Sequence, residues 1–118
     1  MGGLVGRELY NRTMSETEMT VKAARAINTI RNLLQEDSVV GFKIGKTDDC
    51  DRREKEHAED GFLIFFPLAE CDSLEEANQL ESKLISIYSS DCRCKNERDG
   101  GGGRMSISDK YYIYVVVK

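Results

Sequence analysis

Apolar residues recur along this chain with two periods, one typical of helices and the other of strands. In the stretch 15–37 they step by four, three and four residues, at Ala23, Ile27, Ile30 and Leu34. Ser15 opens the stretch and Glu18 lies three residues later, which is the pattern of a capping box. We therefore predict a helix over 15–37. Residues 1–14 carry three glycines and no periodicity, so we expect a flexible arm there.

Two later stretches predict strands. Residues 39–44 are β-branched and aromatic, and Gly45 is expected to end this strand. Residues 62–68 form a continuous apolar run with Pro67 near its end. Such a run is typical of a central strand that is covered on both faces, and a proline is tolerated at a strand end.

The end of the chain predicts a third strand. Residues 111–118 alternate so that one face carries Tyr112, Tyr114 and Val116. The opposite face carries Tyr111, Ile113, Val115 and Val117. Residues 98–110 precede this strand and contain a run of glycines, which predicts a loop without regular structure.

Two more helices lie between these strands. Asp48 or Asp49 can cap a helix that runs to about residue 59 and is almost entirely polar. Residues 73–76 form a second capping box. The helix that follows it has a buried side made of Ala77, Leu80, Leu84, Ile87 and Tyr88.

The predicted order is helix, strand, helix, strand, helix, loop and strand. This order indicates an α+β fold, a small three-stranded antiparallel sheet flanked by helices. At 118 residues the chain is long enough for one domain with one modest core, which we assign to residues 1–118. The helix over 15–37 and the loop over 98–110 are additions to the central part of that domain.

Charge and composition restrict the classes of function. The net charge of −4 argues against a protein that coats nucleic acid through a broad positive field. It permits a local basic strip, and two sets of cations are candidates. They are Lys43, Lys46, Arg52 and Arg53, and Arg93, Lys95, Arg98 and Arg104.

The sequence contains neither a membrane-spanning run nor the basic-then-apolar pattern of a signal peptide. We therefore expect no membrane partner and an intracellular protein, cytoplasmic or nuclear, whose four cysteines are free thiols. A zinc module that uses Cys92 and Cys94 with Cys50 or Cys71 is a weak alternative, because C-x-C needs a second close pair.

Three polar residues stand out from this pattern. Arg53 and His57 lie four residues apart, so they share one face of the polar helix. A solvated helix with internal ion pairs would explain them as well. Glu81 has apolar neighbours one turn away in both directions, and a carboxylate there is costly unless it is paired or binds a metal. Alternatively, Glu81 lies at the edge of the apolar stripe and reaches solvent or an arginine.

These residues resemble the GIY-YIG nuclease domain over roughly residues 39–97. The family commonly reads Y-I-G-K-T, four variable residues and then R-R-x-x-E-H, and residues 43–57 match this nearly position by position. The pattern of its metal-binding helix, Ala-x-x-x-Glu-x-x-Leu-Ile, fits Ala77 to Ile85 around Glu81. An asparagine follows a short basic segment in the family, and Asn96 occupies that place here.

Two features depart from the family pattern. Lys43 replaces the tyrosine of the second triplet, as in one branch of the family. The first triplet should form a strand just before residue 39, where a helix is predicted, and Tyr10 is too far upstream to supply it. Residues 111–118 look like the family's opening strand. We therefore interpret the chain as a circular permutation in which residues 112–114 stand for the first triplet.

The resemblance implies a metal-dependent endonuclease that hydrolyses DNA phosphodiester bonds. Glu81 would hold Mg²⁺ or Mn²⁺, and Arg53 would grip the phosphate. Tyr114 would act on the water, with Lys43 or His57 lowering its pKa, and Asn96 would buttress the site. The remaining candidates are Tyr112, beside Tyr114 in the triplet, and the substrate-side residues Gly45, Lys46 and Arg52.

One alternative is a module of the same fold that binds nucleic acid or protein without cutting. The acidic net charge and Lys43 favour it, whereas the joint presence of Arg53, His57, Glu81 and Asn96 disfavours it. Because the sequence contains no separate DNA-reading module, specificity would come from the loops, a protein partner or a homodimer.

Overall fold

The computed structural model describes the backbone of residues 3–96 and 108–118, and the side chains from residue 17 onward within these ranges. This part of the chain forms three helices and three strands. In chain order they are α1 (Gly3–Leu34), β1 (Phe42–Thr47), α2 (Cys50–Glu59), β2 (Ile64–Cys71), α3 (Leu74–Tyr88) and β3 (Tyr111–Val117). The predicted α+β class is confirmed, and the predicted loop over 98–110 lies outside the described residues except for its last three.

The C-terminal strand occupies the middle of the sheet. The strand order is β1-β3-β2, and both pairings are antiparallel. Along β1 the register sets Phe42 opposite Val117 and Gly45 opposite Tyr114. The expectation that the C-terminus supplies a strand of the sheet is therefore confirmed.

The alternation along β3 explains its central position. Ile113, Val115 and Val117 belong to the main core, which α1 and α3 cover. Tyr114 and Val116 lie on the other face in a smaller cluster with Phe62. A strand that is apolar on both faces gains most from burial when it is paired and covered on both sides.

The prediction that residues 62–68 form the central strand is wrong. β2 is an edge strand, and Ile64 and Phe66 remain 48% and 43% exposed. Pro67 lies inside the strand next to a register shift, which an edge strand tolerates because no outer neighbour needs its missing donor. An apolar run does not show by itself whether a strand is central, and the run in β3 takes that position.

Two boundaries also differ from the predictions. α1 begins at Gly3, so residues 3–14 are helical where an arm was expected, and the start expected at Ser15 is wrong. Residues 7–9 are good helix formers and no proline interrupts the stretch, so the helix continues through the capping-box sequence. Gly45 lies within β1 and does not end it. None of the described helices combines the length and hydrophobicity that crossing a membrane requires.

The central position of β3 can be tested with two isoleucines. Ile113 is fully buried in β3, whereas Ile87 on α3 is 45% exposed. Ile113→Ala should lower the free energy of unfolding by about 2–5 kcal/mol, because it leaves a cavity between the sheet and the helices. Ile87→Ala should change it by less than about 1 kcal/mol. Equal losses in urea denaturation would contradict the placement of β3.

Candidate functional site

A glycine opposite a tyrosine forms the centre of the site. The register of β1 and β3 pairs Gly45 with Tyr114, and the phenol ring lies across the glycine. A Cβ at position 45 would overlap the phenol oxygen and lie 2.5 Å from Cζ. Phe65 stacks on the ring from β2 with a centroid distance of 4.7 Å. Tyr114 is only 1% exposed, so its hydroxyl has a fixed position.

The start of α2 is fixed by two caps. Asp49 is the N-cap, and its carboxylate accepts a hydrogen bond from the backbone N–H of Arg52 at 3.1 Å. The buried hydroxyl of Thr47 accepts from the N–H of Asp49 at 3.0 Å and donates to its carbonyl at 3.1 Å. These contacts join the end of β1 to the first turn of α2. They therefore set the direction in which α2 carries Arg53 and His57.

Arg53 and His57 meet at the Tyr114 hydroxyl. The Nε and Nη2 groups of Arg53 donate to the phenol oxygen at 3.3 Å and 3.2 Å. The Nε2 atom of His57 lies 2.8 Å from the same oxygen. Because arginine only donates, His57 Nε2 is the potential acceptor for the Tyr114 hydroxyl proton, in the tautomer that carries its proton on Nδ1. The Nδ1 atom is buried without a hydrogen-bond partner among the described residues.

Burial keeps this pair of hydrogen-bonded side chains neutral. It raises the pKa of Tyr114, and the opposing effect of the Arg53 guanidinium is smaller. Burial also lowers the pKa of His57, and the charges of Arg53 and Lys43 lower it further. The expected lowering of the Tyr114 pKa by Lys43 or His57 is therefore not observed. A neutral His57 can accept the phenol proton, so Tyr114 and His57 form a potential proton-transfer pair.

Glu81 lies on the other face of the sheet, and its partner is Lys46. The Nζ atom of Lys46 donates to Glu81 Oε1 at 2.9 Å, and the two side chains are only 7% and 4% exposed. Burial raises the pKa of Glu81, while its hydrogen bond and ion pair with Lys46 act in the opposite direction. Glu81 thus reaches neither solvent nor an arginine, and Lys46 is engaged inside the protein.

The tyrosine cluster, which consists of Tyr114, Arg53 and His57, interacts electrostatically with Glu81 across the end of β1. The charge of Arg53 lowers the pKa of Glu81, and the charge of Glu81 raises that of Tyr114. The tyrosine cluster and the Lys46–Glu81 pair therefore lie within electrostatic range of each other.

Asn96 holds the outer edge of β1. Its Oδ1 atom accepts from the N–H of Ile44 at 2.9 Å, and its Nδ2 group donates to the carbonyl of Ile44 at 2.8 Å. The thiol of Cys94 donates to the same Oδ1 atom at 3.5 Å. Asn96 thus supports the backbone of β1 one residue before Gly45.

Three candidates do not join the tyrosine cluster through hydrogen bonds within the described residues. Arg52 pairs with Asp48 at 3.2 Å. Lys43 lies with its Nζ atom 5.4 Å from the centroid of the Phe62 ring, near enough to His57 to act on it electrostatically. Tyr112 is half-buried and pairs through the backbone with Thr47 and Glu70.

The site residues permit a divalent cation only on Glu81. No three His, Cys, Asp or Glu side chains come together within the described ranges, so the three-cysteine zinc alternative is wrong. The four cysteines are free. Mg²⁺ can bind through a single carboxylate when water and phosphate supply its other ligands. Glu81 fits that requirement, provided that the ammonium group of Lys46 moves away from Oε1.

Sequence reasoning missed two contributors to the site, Thr47 and Phe62. Thr47 is buried and orders the start of α2, and its position two residues before an aspartate cap was the available signal. Phe62 contacts the His57 ring edge-on at a centroid distance of 5.8 Å. Its place in an apolar run concealed that contact.

Comparison with protein families, with curated proteins and with solved structures gives no match for this chain.

The close approach of Tyr114 to Gly45 can be tested by adding one methyl group. Gly45→Ala should lower the free energy of unfolding by about 1–3 kcal/mol, because the phenol ring lies where the Cβ would be. Gly41→Ala is the matched control, since its Cβ would meet only the flexible side chains of Lys95 and Lys118. It should change stability by less than about 1 kcal/mol. Thermal or urea unfolding measures both, and a neutral Gly45→Ala would contradict the packing.

The buried ion pair can be tested with a mutant cycle. Lys46→Met should lower the free energy of unfolding by about 3–5 kcal/mol, because it leaves the Glu81 carboxylate buried without its cation. The double variant Lys46→Met/Glu81→Leu should regain most of that loss. If the two variants have equal stability in urea denaturation, Lys46 and Glu81 are not coupled.

Proposed function

We propose that this chain is a metal-dependent endonuclease that hydrolyses DNA by a GIY-YIG-type mechanism. The observation that carries the proposal is the meeting of Arg53 and His57 at the hydroxyl of Tyr114, opposite Gly45. These residues come from separate parts of the chain, and the sequence resemblance names the same set. Glu81 adds a carboxylate whose charge raises the pKa of Tyr114.

In the proposed mechanism Arg53 binds the phosphate. Its side chain is 35% exposed, and its Nη1 group pairs with the exposed Glu56 at 3.0 Å. Exchanging that surface partner for a phosphate costs little, because exposed ion pairs contribute little stability. A planar guanidinium can then neutralise the charge that develops on the phosphate in the transition state.

In the proposed mechanism, Tyr114 and His57 take up a proton from the attacking water. Arg53 donates to the phenol oxygen, and in the proposed tautomer the phenol proton would face an unprotonated Nε2 atom of His57. When a water donates its proton to the phenol oxygen, His57 can accept the phenol proton in the same step. The hydroxide would attack phosphorus, and the bond from phosphorus to the 3′ oxygen would break, with that oxygen taking a proton from solvent water. This arrangement needs no phenolate at neutral pH, which agrees with the raised pKa of Tyr114.

Glu81 would hold the Mg²⁺ or Mn²⁺ ion of the proposed enzyme. A bound ion would supply Lewis-acid stabilisation of the phosphate oxygens. Lys46 would have to release Glu81 for the ion to bind. Asn96 keeps β1 in place through Ile44.

The circular permutation is part of this proposal. β3 pairs with β1 in the position that the family's opening strand would take, and it carries residues 112–114 opposite the end of β1. The link between β3 and the earlier elements would then be the glycine-rich segment.

A second candidate is a module of the same fold that binds nucleic acid without cutting it. Two observations favour it, the closed Lys46–Glu81 pair and the nearly complete burial of Tyr114. A site that never releases Glu81 or exposes the phenol oxygen would bind a phosphate through Arg53 and stop there.

A nicking assay separates the two candidates. Wild-type protein with Mg²⁺ should convert supercoiled plasmid or cleave branched DNA, and EDTA should stop the reaction. Arg53→Ala and Glu81→Gln should each reduce cleavage by about 100-fold or more. Arg25→Ala, an exposed residue on α1, is the charge-matched control and should cleave as wild type.

Circular dichroism must show that each variant is folded. Absence of cleavage by folded wild-type protein with either metal would contradict the nuclease proposal and favour the binding module. Cleavage that survives Arg53→Ala would place the active site elsewhere.

A further inference from the structure

We propose that Lys43, Lys95 and Lys118, here called the lysine strip, bind the phosphate backbone of a nucleic acid next to the candidate site. This inference deepens the proposed function, because it supplies the path of the substrate strand. The strip also takes the place of two cations that the sequence suggested as phosphate contacts. Lys46 and Arg52 were expected to contact flanking phosphates, and both are paired with carboxylates.

The three lysines share one surface of the sheet. Lys43 and Lys118 both lie over the ring of Phe62, with Nζ atoms 5.4 Å and 4.7 Å from its centroid. At Gly41 a Cβ would lie 2.8 Å from Cε of Lys95 and 3.5 Å from Cε of Lys118. Gly41, Lys43 and Gly45 alternate along the extended chain, so the strip is on the side that Tyr114 occupies.

Phe62 is held under the strip by the end of α2. Gly61 adopts a positive φ of 92°, which turns the chain back after the helix. The N–H of Phe62 then donates to the carbonyl of His57 at 3.0 Å. The same ring therefore contacts His57 at its edge and supports two lysines, which joins the strip to the catalytic candidates.

The strip consists of cations that no described residue neutralises through an ion pair. Within the described residues, no carboxylate forms an ion pair with a member of the strip. By contrast, Lys22 pairs with Glu76, and Lys110 with Glu70 and Asp72. In a chain with net charge −4, three adjacent unpaired lysines form a local positive field.

The distance from the strip to the candidate site suits a nucleic-acid backbone. From Gly41 to Gly45 an extended chain covers about 13 Å. One strand of a duplex carries a phosphate about every 3.4 Å of helix axis, so this length faces roughly three or four phosphates.

The charges near the strip also act on the candidate site. Lys43 lowers the pKa of His57, which shows that its field reaches the tyrosine cluster. Glu56 and Asp60 act on His57 with the opposite sign from the α2 side. A polyanion bound at Arg53 is therefore attracted by Lys43, which lies over Phe62 at the end of the strip near the candidate site. The contacts are to phosphates, so the strip positions the strand without reading its sequence.

The salt dependence of binding tests the strip without any cleavage. Fluorescence anisotropy with labelled DNA duplex, single-stranded DNA or duplex RNA is measured in EDTA at several salt concentrations. Lys95→Gln/Lys118→Gln should reduce the slope of log K against log[salt] by about 2 on duplex DNA, about 1 for each lysine. The probe with the largest wild-type slope identifies which nucleic acid the strip prefers.

Matched variants separate the charge of the strip from the overall charge of the protein and from its folding. Lys83→Gln removes a charge on α3, away from the strip, and should leave the slope unchanged. Lys95→Arg/Lys118→Arg keeps both charges and should bind as wild type. Both double variants should retain the thermal stability of the wild type, because the ammonium groups lie at the surface.

The outcomes separate this inference from the nuclease proposal. A reduced slope in the glutamine variant supports the strip even if the wild type never cleaves, in which case the chain is a binding module. Cleavage by the wild type with an unchanged slope overturns the strip alone. Wild-type protein that binds none of the three probes overturns the strip, and a protein partner would then be the candidate.

Discussion

The pairing of β1 with β3 is the constraint on which the rest of the structure depends. It sets Gly45 opposite Tyr114, and the missing side chain of the glycine leaves room for the phenol ring. A shift of the register by one residue would move Tyr114 to the face that α1 and α3 cover. Arg53 and His57 would then have no common partner. The pairing therefore builds the main core and the polar cluster at the same time.

The sheet also separates two kinds of polar chemistry. On one face, the hydroxyl of Tyr114 lies within hydrogen-bond distance of His57 and accepts a hydrogen bond from Arg53. On the other face, Lys46 and Glu81 balance each other in a nearly dry environment. Two buried opposite charges contribute little net stability once both are desolvated. The Lys46–Glu81 pair is therefore weak evidence for a stabilising role in the core.

Much of the fold could be predicted from the sequence, because periodicity and caps are local properties. The order of the elements, the alternation along β3 and the cap at Asp49 all follow from neighbouring residues. The exchange of central and edge positions between β2 and β3 was missed. Both strands are apolar runs, and Pro67 was the sequence signal that β2 suits an edge. The candidate site divides in the same way. Arg53 and His57 were predictable because helical spacing places them on one face. The partner of Lys46 and the grouping of the lysine strip were not predictable, because they depend on how distant parts of the chain pack together.

Both edges of the described sheet are unsuited to further growth. On the β1 side, the backbone of Phe42 pairs with residues 93–95, and Asn96 occupies both backbone groups of Ile44. On the β2 side, Pro67 offers no donor and the adjacent register shift breaks the ladder. Another strand therefore finds few free backbone groups in line on either edge. The same proline that makes β2 a poor central strand protects a sheet with exposed apolar residues from joining edge to edge with its copies.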